Sequence, residues 1–282
     1  MPVQYPLIVS TLCQRLSLGV YSVSLLAAYL WGMKLNLPDI AAVALIIFST
    51  GLLASLVHLG RPQRMMNSFS NPKSRLTQEG LVAPIVALLL FLQAIDGRFV
   101  QFSPSILSMI QLLAVVASIA FILATGLVYQ LFARPAWKTK LVSINFFLSY
   151  LTLGTVGTYA IAVFENLKDA NLLLYLVGVS TSLTLLGQIY YLIYVGKLKY
   201  GVAIEILNQD YMTSFIGWLI TGVIGPIGLL TYLLYSGPST ITAIALLVSS
   251  VLGLVFWRMF FFLAAKEIKF FPQYSADMTT DF

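Results

Sequence analysis

His58 is the one histidine of the chain, and it stands where a long apolar run gives way to the polar stretch His58-Leu59-Gly60-Arg61-Pro62-Gln63-Arg64. An imidazole changes charge near neutral pH without help from its surroundings, and at the edge of an apolar segment it is a candidate for proton-linked chemistry. From there to Glu79 the sequence concentrates groups that do chemistry. A neutral imidazole at 58 can take a proton from a phenolic hydroxyl, Arg64 can hold a carbonyl or carboxylate oxygen, and Glu79 can receive or relay the proton. Oxidising a quinol releases both electrons and protons, so its site needs a base beside a ring oxygen, an apolar slot for the ring and an exit for protons. Arg61 and Asn67 belong to the same stretch, with Met65, Met66 and Phe69 as apolar wall material.

A plainer account of the same residues stands beside this one. A histidine at the end of an apolar helix can hydrogen-bond loop carbonyls, Arg61 and Arg64 can reach lipid phosphates, and Glu79 can be a favourable first-turn acid behind Ser74 or Thr77 as cap.

The elements that must position these groups are membrane helices. Of 282 residues 59% are hydrophobic and 9% charged, against about a quarter charged in soluble domains. Eight apolar runs, near 8–31, 38–58, 80–95, 104–131, 141–164, 171–195, 213–235 and 239–264, approach the roughly 20 residues that cross hydrocarbon. They are continuously apolar, whereas a membrane barrel alternates apolar and polar residues in strands of about ten. The expected fold is an all-α bundle of eight transmembrane helices forming a single membrane domain over 1–282. The third run is short, and its start is not marked. The first lacks a basic leader and carries Gln14 and Arg15, so it is expected to stay in the mature protein.

An even number of spans puts both termini on the side of the His58 connection. That side collects Arg61, Arg64, Lys73, Arg75, Arg134, Lys138, Lys140, Lys197, Lys199, Lys266 and Lys269, against Lys34, Arg98 and Lys168 opposite. The positive-inside rule then makes the His58 side cytoplasmic. The formal charge of +6 follows from this bias, and no soluble domain or basic stripe suggests nucleic-acid binding.

With one cysteine, Cys13, no internal disulfide can form, and no four-thiolate iron–sulfur cluster can be built from these residues alone. A haem held by two histidines of this sequence is excluded as well. If quinol is oxidised, its electrons therefore leave near the same face into a separate redox subunit. Gln14 and Arg15 lie toward that face, adjacent on a helix, which lets one border the pocket while the other snorkels. Arg258 lies toward it in the last run, as a buried structural pair or a charge reaching the headgroups. Residues 196–213 mix charged and aliphatic side chains, as an interfacial helix or a solvated linker would. Gly222 to Pro226 interrupts the seventh run, and Leu16-Ser17-Leu18-Gly19 is echoed by Leu151-Thr152-Leu153-Gly154, compatible with two four-helix halves.

Pro6-Leu7 followed by Gln14, then His58-Leu59-Gly60 with Pro62, Arg64, Asn67, Ser68, Ser74, Thr77 and Glu79, resemble the membrane-anchor subunit of dimethyl sulfoxide reductase. Pro135-Ala136-Trp137 and Arg258 with Phe260 are similar too, while Arg61 stands where the family carries a small residue. The resemblance implies a multi-pass protein of a prokaryotic cytoplasmic membrane, without haem or iron–sulfur cluster of its own. It would anchor a molybdopterin catalytic subunit and a four-cluster iron–sulfur subunit in anaerobic respiration, and oxidise menaquinol. On this reading His58, Arg64, Glu79, Gln14, Arg61 and Asn67 bind the quinol, and Lys73, Arg75, Arg134 and Trp137 dock the partner. The protein would carry the quinol-oxidising site of the complex, not its catalytic head. The resemblance also places the catalytic subunit outside the cytoplasm, opposite to the charge count. Two other functions fit the residues less fully: a multispan carrier for a small solute, and a passive anchor with no quinol site.

Overall fold

The computed structural model describes residues 5–57, 70–131, 134–167, 169–198 and 209–264, the side chains of 209 and 210 excepted. These residues form helices joined by short connections, with no strand among them. In sequence order they are α1 (Tyr5–Trp31), α2 (Leu37–Val57), α3 (Arg75–Ile95), α4 (Pro104–Val128), α5 (Leu141–Phe164), α6 (Ala170–Gly196), an interrupted α7 and α8 (Thr240–Leu263). The interruption in α7 is a π-helical segment, Leu219–Ile224, between α-helical Gln209–Trp218 and Gly225–Ser236. Pro226 has no amide proton to give, so the regular ladder cannot pass through it.

Seven of these helices are long and apolar enough to cross a membrane, and α1 is not among them. The expectation of eight transmembrane helices is thus not confirmed: among the described residues seven qualify. Over its 27 residues α1 carries Gln14, Arg15 and a series of serines and threonines, most of them buried. Lipid is a poor solvent for those groups, and protein surrounds them instead: α1 packs on α2 and α5 and also touches α4 and α8.

The centre of the bundle is α5, packed against α1, α4, α6 and α8. Of its most apolar stretch 72% is buried, against 22–44% in the other six. Its close approach to α1 is made by glycines. A Cβ on Gly154 would lie 2.6 Å from the Gly19 carbonyl oxygen, closer than atoms tolerate. The two glycines that end the echoed tetrapeptides are therefore the point at which α1 and α5 cross, a small-residue contact typical of membrane helices.

Helix α3 begins at Arg75, five residues before the apolar run. Its polar first turn is held by α4: the Arg75 guanidinium donates to the carbonyls of Leu127 and Gln130, 2.9 Å each, and Thr77 is buried. Ser74 occupies the N-cap position but its hydroxyl makes no cap bond, and no acid lies in the first turn. Glu79 falls in the second turn, so the expectation of a first-turn acid is corrected.

Candidate functional site

His58, Arg61, Arg64 and Asn67 lie outside the described residues. Among the described residues, the first turns of α3, the last turns of α4 and α8 and the connection 134–140 lie close together. All belong to one end of the bundle, because Arg75 reaches the end of α4 and the Trp137 indole donates to the Phe261 carbonyl in α8, 3.1 Å away.

Glu79 points into this end. Its carboxylate accepts a hydrogen bond from Thr125 Oγ1 of α4 at 2.8 Å. The same hydroxyl also sits 2.9 Å from the Phe121 carbonyl of its own helix, so it is shared between the two acceptors. Arg15 lies within electrostatic reach of Glu79, Tyr129 and Arg258. Tyr129, just past the end of α4, is ringed by aromatics, with centroids of Trp137 and Phe146 each 5.3 Å away and Phe262 at 5.7 Å. Burial raises its phenol above the ordinary value, with the Glu79 charge adding to the effect, so the group stays protonated as a hydrogen-bonding partner.

Both side chains of the Gln14–Arg15 pair are buried, to 2% and 0% exposure, so neither snorkels. They face different neighbours, as adjacent helical residues must. Gln14 donates from Nε2 to Ser10 Oγ at 3.1 Å and lies against Gly51 of α2. Arg15 turns toward α5, where its guanidinium carbon is 3.9 Å from the centre of the Phe146 ring, and it donates to the Thr11 carbonyl. Arg258 approaches the same ring, 3.8 Å from its centre, and is likewise at 0% exposure. It reaches no headgroup. Its Nη2 lies 3.4 Å from Ser149 Oγ. Nε and Nη2 of Arg15, Nε and Nη1 of Arg258, and Oε1 of Gln14 have no hydrogen-bond partner among the described residues.

Of the residues expected to dock a partner, Lys73 and Arg75 are exposed, the latter with its guanidinium tied to α4. Trp137 is only 4% exposed, stacked on Phe261 with ring centroids 5.1 Å apart. The Arg134 guanidinium also lies over the indole, 4.7 Å from its centre. The indole therefore fixes the 134–140 connection to α8 from inside, and Arg134 and Lys73 form the outward part of that group.

Sequence reasoning singled out Glu79 and Gln14 but left Thr125, Tyr129 and Phe146 unnoticed. Nothing marks them among so many hydroxyls and aromatics. Arg15 and Arg258 carried a signal, two charges inside apolar runs, but their convergence on one ring is a tertiary fact. A cavity of about 480 Å³ lies between α1, α2, α5 and α8, and neither Arg15, Phe146 nor Arg258 lines it. It starts at Leu16, is walled by Val20, Val43, Ile47 and Leu247, and ends by Asp39 and Glu165 at the opposite end of the bundle. Among the described residues no group of histidine, cysteine and acidic side chains is arranged to hold a metal ion.

Compared with known proteins, residues 2–203 match the family described as DMSO reductase anchor subunit (DmsC). A curated relative from Haemophilus influenzae, polypeptide C of its anaerobic dimethyl sulfoxide reductase, is 26% identical over 146 residues, 49% of the present sequence and 51% of its own length. The protein thus spans about half the length of the curated relative it matches.

Proposed function

The chain belongs to the DMSO reductase anchor subunit (DmsC) family, and from that membership we propose that it anchors a molybdopterin oxidoreductase of the dimethyl sulfoxide reductase type, oxidises menaquinol and passes the electrons to an iron–sulfur subunit. It is a multi-pass membrane protein. On this reading it sits in a prokaryotic cytoplasmic membrane as one domain of eight spans, α1 being the eighth. At roughly 1.5 Å per residue its 27 residues are long enough to cross, and its polar groups meet protein, not lipid.

The observation that carries the reading is a coincidence of place. The family match runs through the 58–79 stretch that holds the proton-handling residues, and Glu79 at its end sits in a polar cluster within an apolar bundle. His58 takes a proton from the quinol, Glu79 relays it, and Arg61, Arg64, Asn67 and Gln14 shape the pocket. The ring lies between apolar walls, and the apolar cavity lined by Leu16, Val20, Val43, Ile47 and Leu247 offers room for an isoprenoid tail. No haem and no cluster of this protein takes part, so electrons leave at the same end into a four-cluster iron–sulfur subunit seated over Lys73, Arg75 and Arg134, with Trp137 bracing the connection below.

The test uses membranes carrying the assembled complex with His58→Ala or Glu79→Gln, subunit retention being measured separately. Quinol-analogue binding and quinol-dependent reduction are expected to fall while the partners stay bound. Undiminished binding and reduction reject the quinol role and leave a passive anchor; solute flux into vesicles from protein purified without redox partners rejects the anchor reading itself.

A further inference from the structure

Two fully buried guanidiniums set against one phenyl ring are an unusual thing to find inside a membrane bundle. Arg15 and Arg258 come from α1 and α8, the first and last helices, and converge on Phe146 of the central helix at 3.9 and 3.8 Å. Each keeps one donor engaged, Arg15 with the Thr11 carbonyl and Arg258 weakly with Ser149 Oγ, and each leaves two nitrogens without an acceptor among the described residues. The ring quadrupole compensates only part of the charge. Glu79 is within electrostatic reach of Arg15 but neither arginine is ion-paired with a carboxylate among the described residues. Among the described residues two cations face one acid, which leaves an excess positive charge where desolvation is costly, and a buried charge persists only where something pairs with it.

We propose that Arg15 and Arg258 form an oxyanion site, which holds the ring oxygen of the quinol after that oxygen has given up its proton. The inference rests on the quinol reading above and adds two residues to it. When the O–H bond breaks, the proton passes to the base that the quinol reading supplies and the electron pair stays on the ring oxygen. That oxygen is then an anion in an apolar site, and the four unpaired nitrogens supply the charge-assisted bonds that it needs. Neutral quinol gains less from them than the anion does, so the pair favours the deprotonated form that releases electrons most readily.

The experiment measures binding of a 2-hydroxy-3-alkyl-1,4-naphthoquinone, an anion at neutral pH, against its neutral 2-methoxy counterpart, on membranes with the intact complex. Wild type is expected to bind the anion roughly 10- to 100-fold more tightly, the range of a charge-assisted bond. In Arg258→Met and Arg15→Met that preference is expected to collapse toward parity with the methoxy compound's affinity held, and Arg258→Lys is expected to keep part of it. A merely structural role would lower both affinities together and leave the ratio intact, which overturns the proposal. Equal binding of the two compounds by wild type overturns it as well, without any variant having to fold. Wild-type membranes that bind neither compound defeat the quinol reading itself and this site with it.

Discussion

Thr125 donates its hydroxyl proton to Glu79 across the α3–α4 contact, 2.8 Å from oxygen to oxygen, so the acid that ends the 58–79 stretch is oriented by a helix some forty residues further along. Replacing Thr125 by valine keeps the shape and removes the donor. Losing a hydrogen bond to a charged group costs about 1.5–3 kcal/mol. The Thr125→Val protein is expected to unfold at lower temperature in detergent and to lose quinol-dependent turnover, with Thr125→Ser near wild type. Equal turnover in the valine and serine variants would show that the carboxylate needs no such partner.

Trp137 links the 134–140 connection to α8 by one hydrogen bond and one stack. The two contributions separate by substitution. Trp137→Phe keeps the aromatic contact and loses the bond to the Phe261 carbonyl, at about 1 kcal/mol; Trp137→Ala loses both and is expected to cost about 3–5 kcal/mol, as large-to-small changes in packed cores do. Retention of the redox partner on membranes should follow the same order if the connection supports docking from beneath.

Gly154 and Gly19 let α5 and α1 touch backbone to backbone. A methyl group on Gly154 must push the helices apart, and overpacking of this kind costs roughly 1–3 kcal/mol. Gly154→Ala is therefore expected to lower the thermal midpoint clearly. Gly178 in α6 has nothing within 4 Å of a Cβ, and Gly178→Ala is the matched control, expected to be neutral or slightly stabilising because alanine is the better helix former. Equal effects at both positions would remove the close crossing as the reason.

Span positions were legible in the sequence because hydropathy reports burial in lipid directly: α5 begins and ends at the expected residues, and the other long helices do so within a few. The start of α3 was not, since its first turn is polar and its Arg75 finds acceptors at and just past the end of α4, far away in sequence. The same limit applied to α1. Its polar side chains depress its apolar character, and only the helices wrapped around it make that tolerable. At the site, residue types at 58–79 pointed to proton chemistry, but the pairing of Glu79 with Thr125 and the meeting of Arg15 and Arg258 at Phe146 join residues more than forty positions apart. No local pattern encodes such contacts.

A final prediction concerns how little the hydroxyl ladder between α5 and α6 holds these helices together. Thr152 and Thr184 are 2.7 Å apart through their hydroxyls, a separation that invites the expectation of a strong bond in a dry interior. Each hydroxyl has a second acceptor within reach, however: the Ser180 carbonyl at 3.0 Å for Thr152 and the Leu148 carbonyl at 3.1 Å for Thr184. Removing one partner by valine substitution thus leaves the other satisfied. Side-chain hydrogen bonds between membrane helices average only about 0.6 kcal/mol by double-mutant cycle, and with alternative acceptors present this pair should not exceed that. A cycle of Thr152→Val and Thr184→Val, read as unfolding in detergent, is expected to give a coupling of about 0.6 kcal/mol or less. A coupling above roughly 1.5 kcal/mol would mean that the backbone acceptors do not substitute, and that the α5–α6 contact depends on the hydroxyl pair itself.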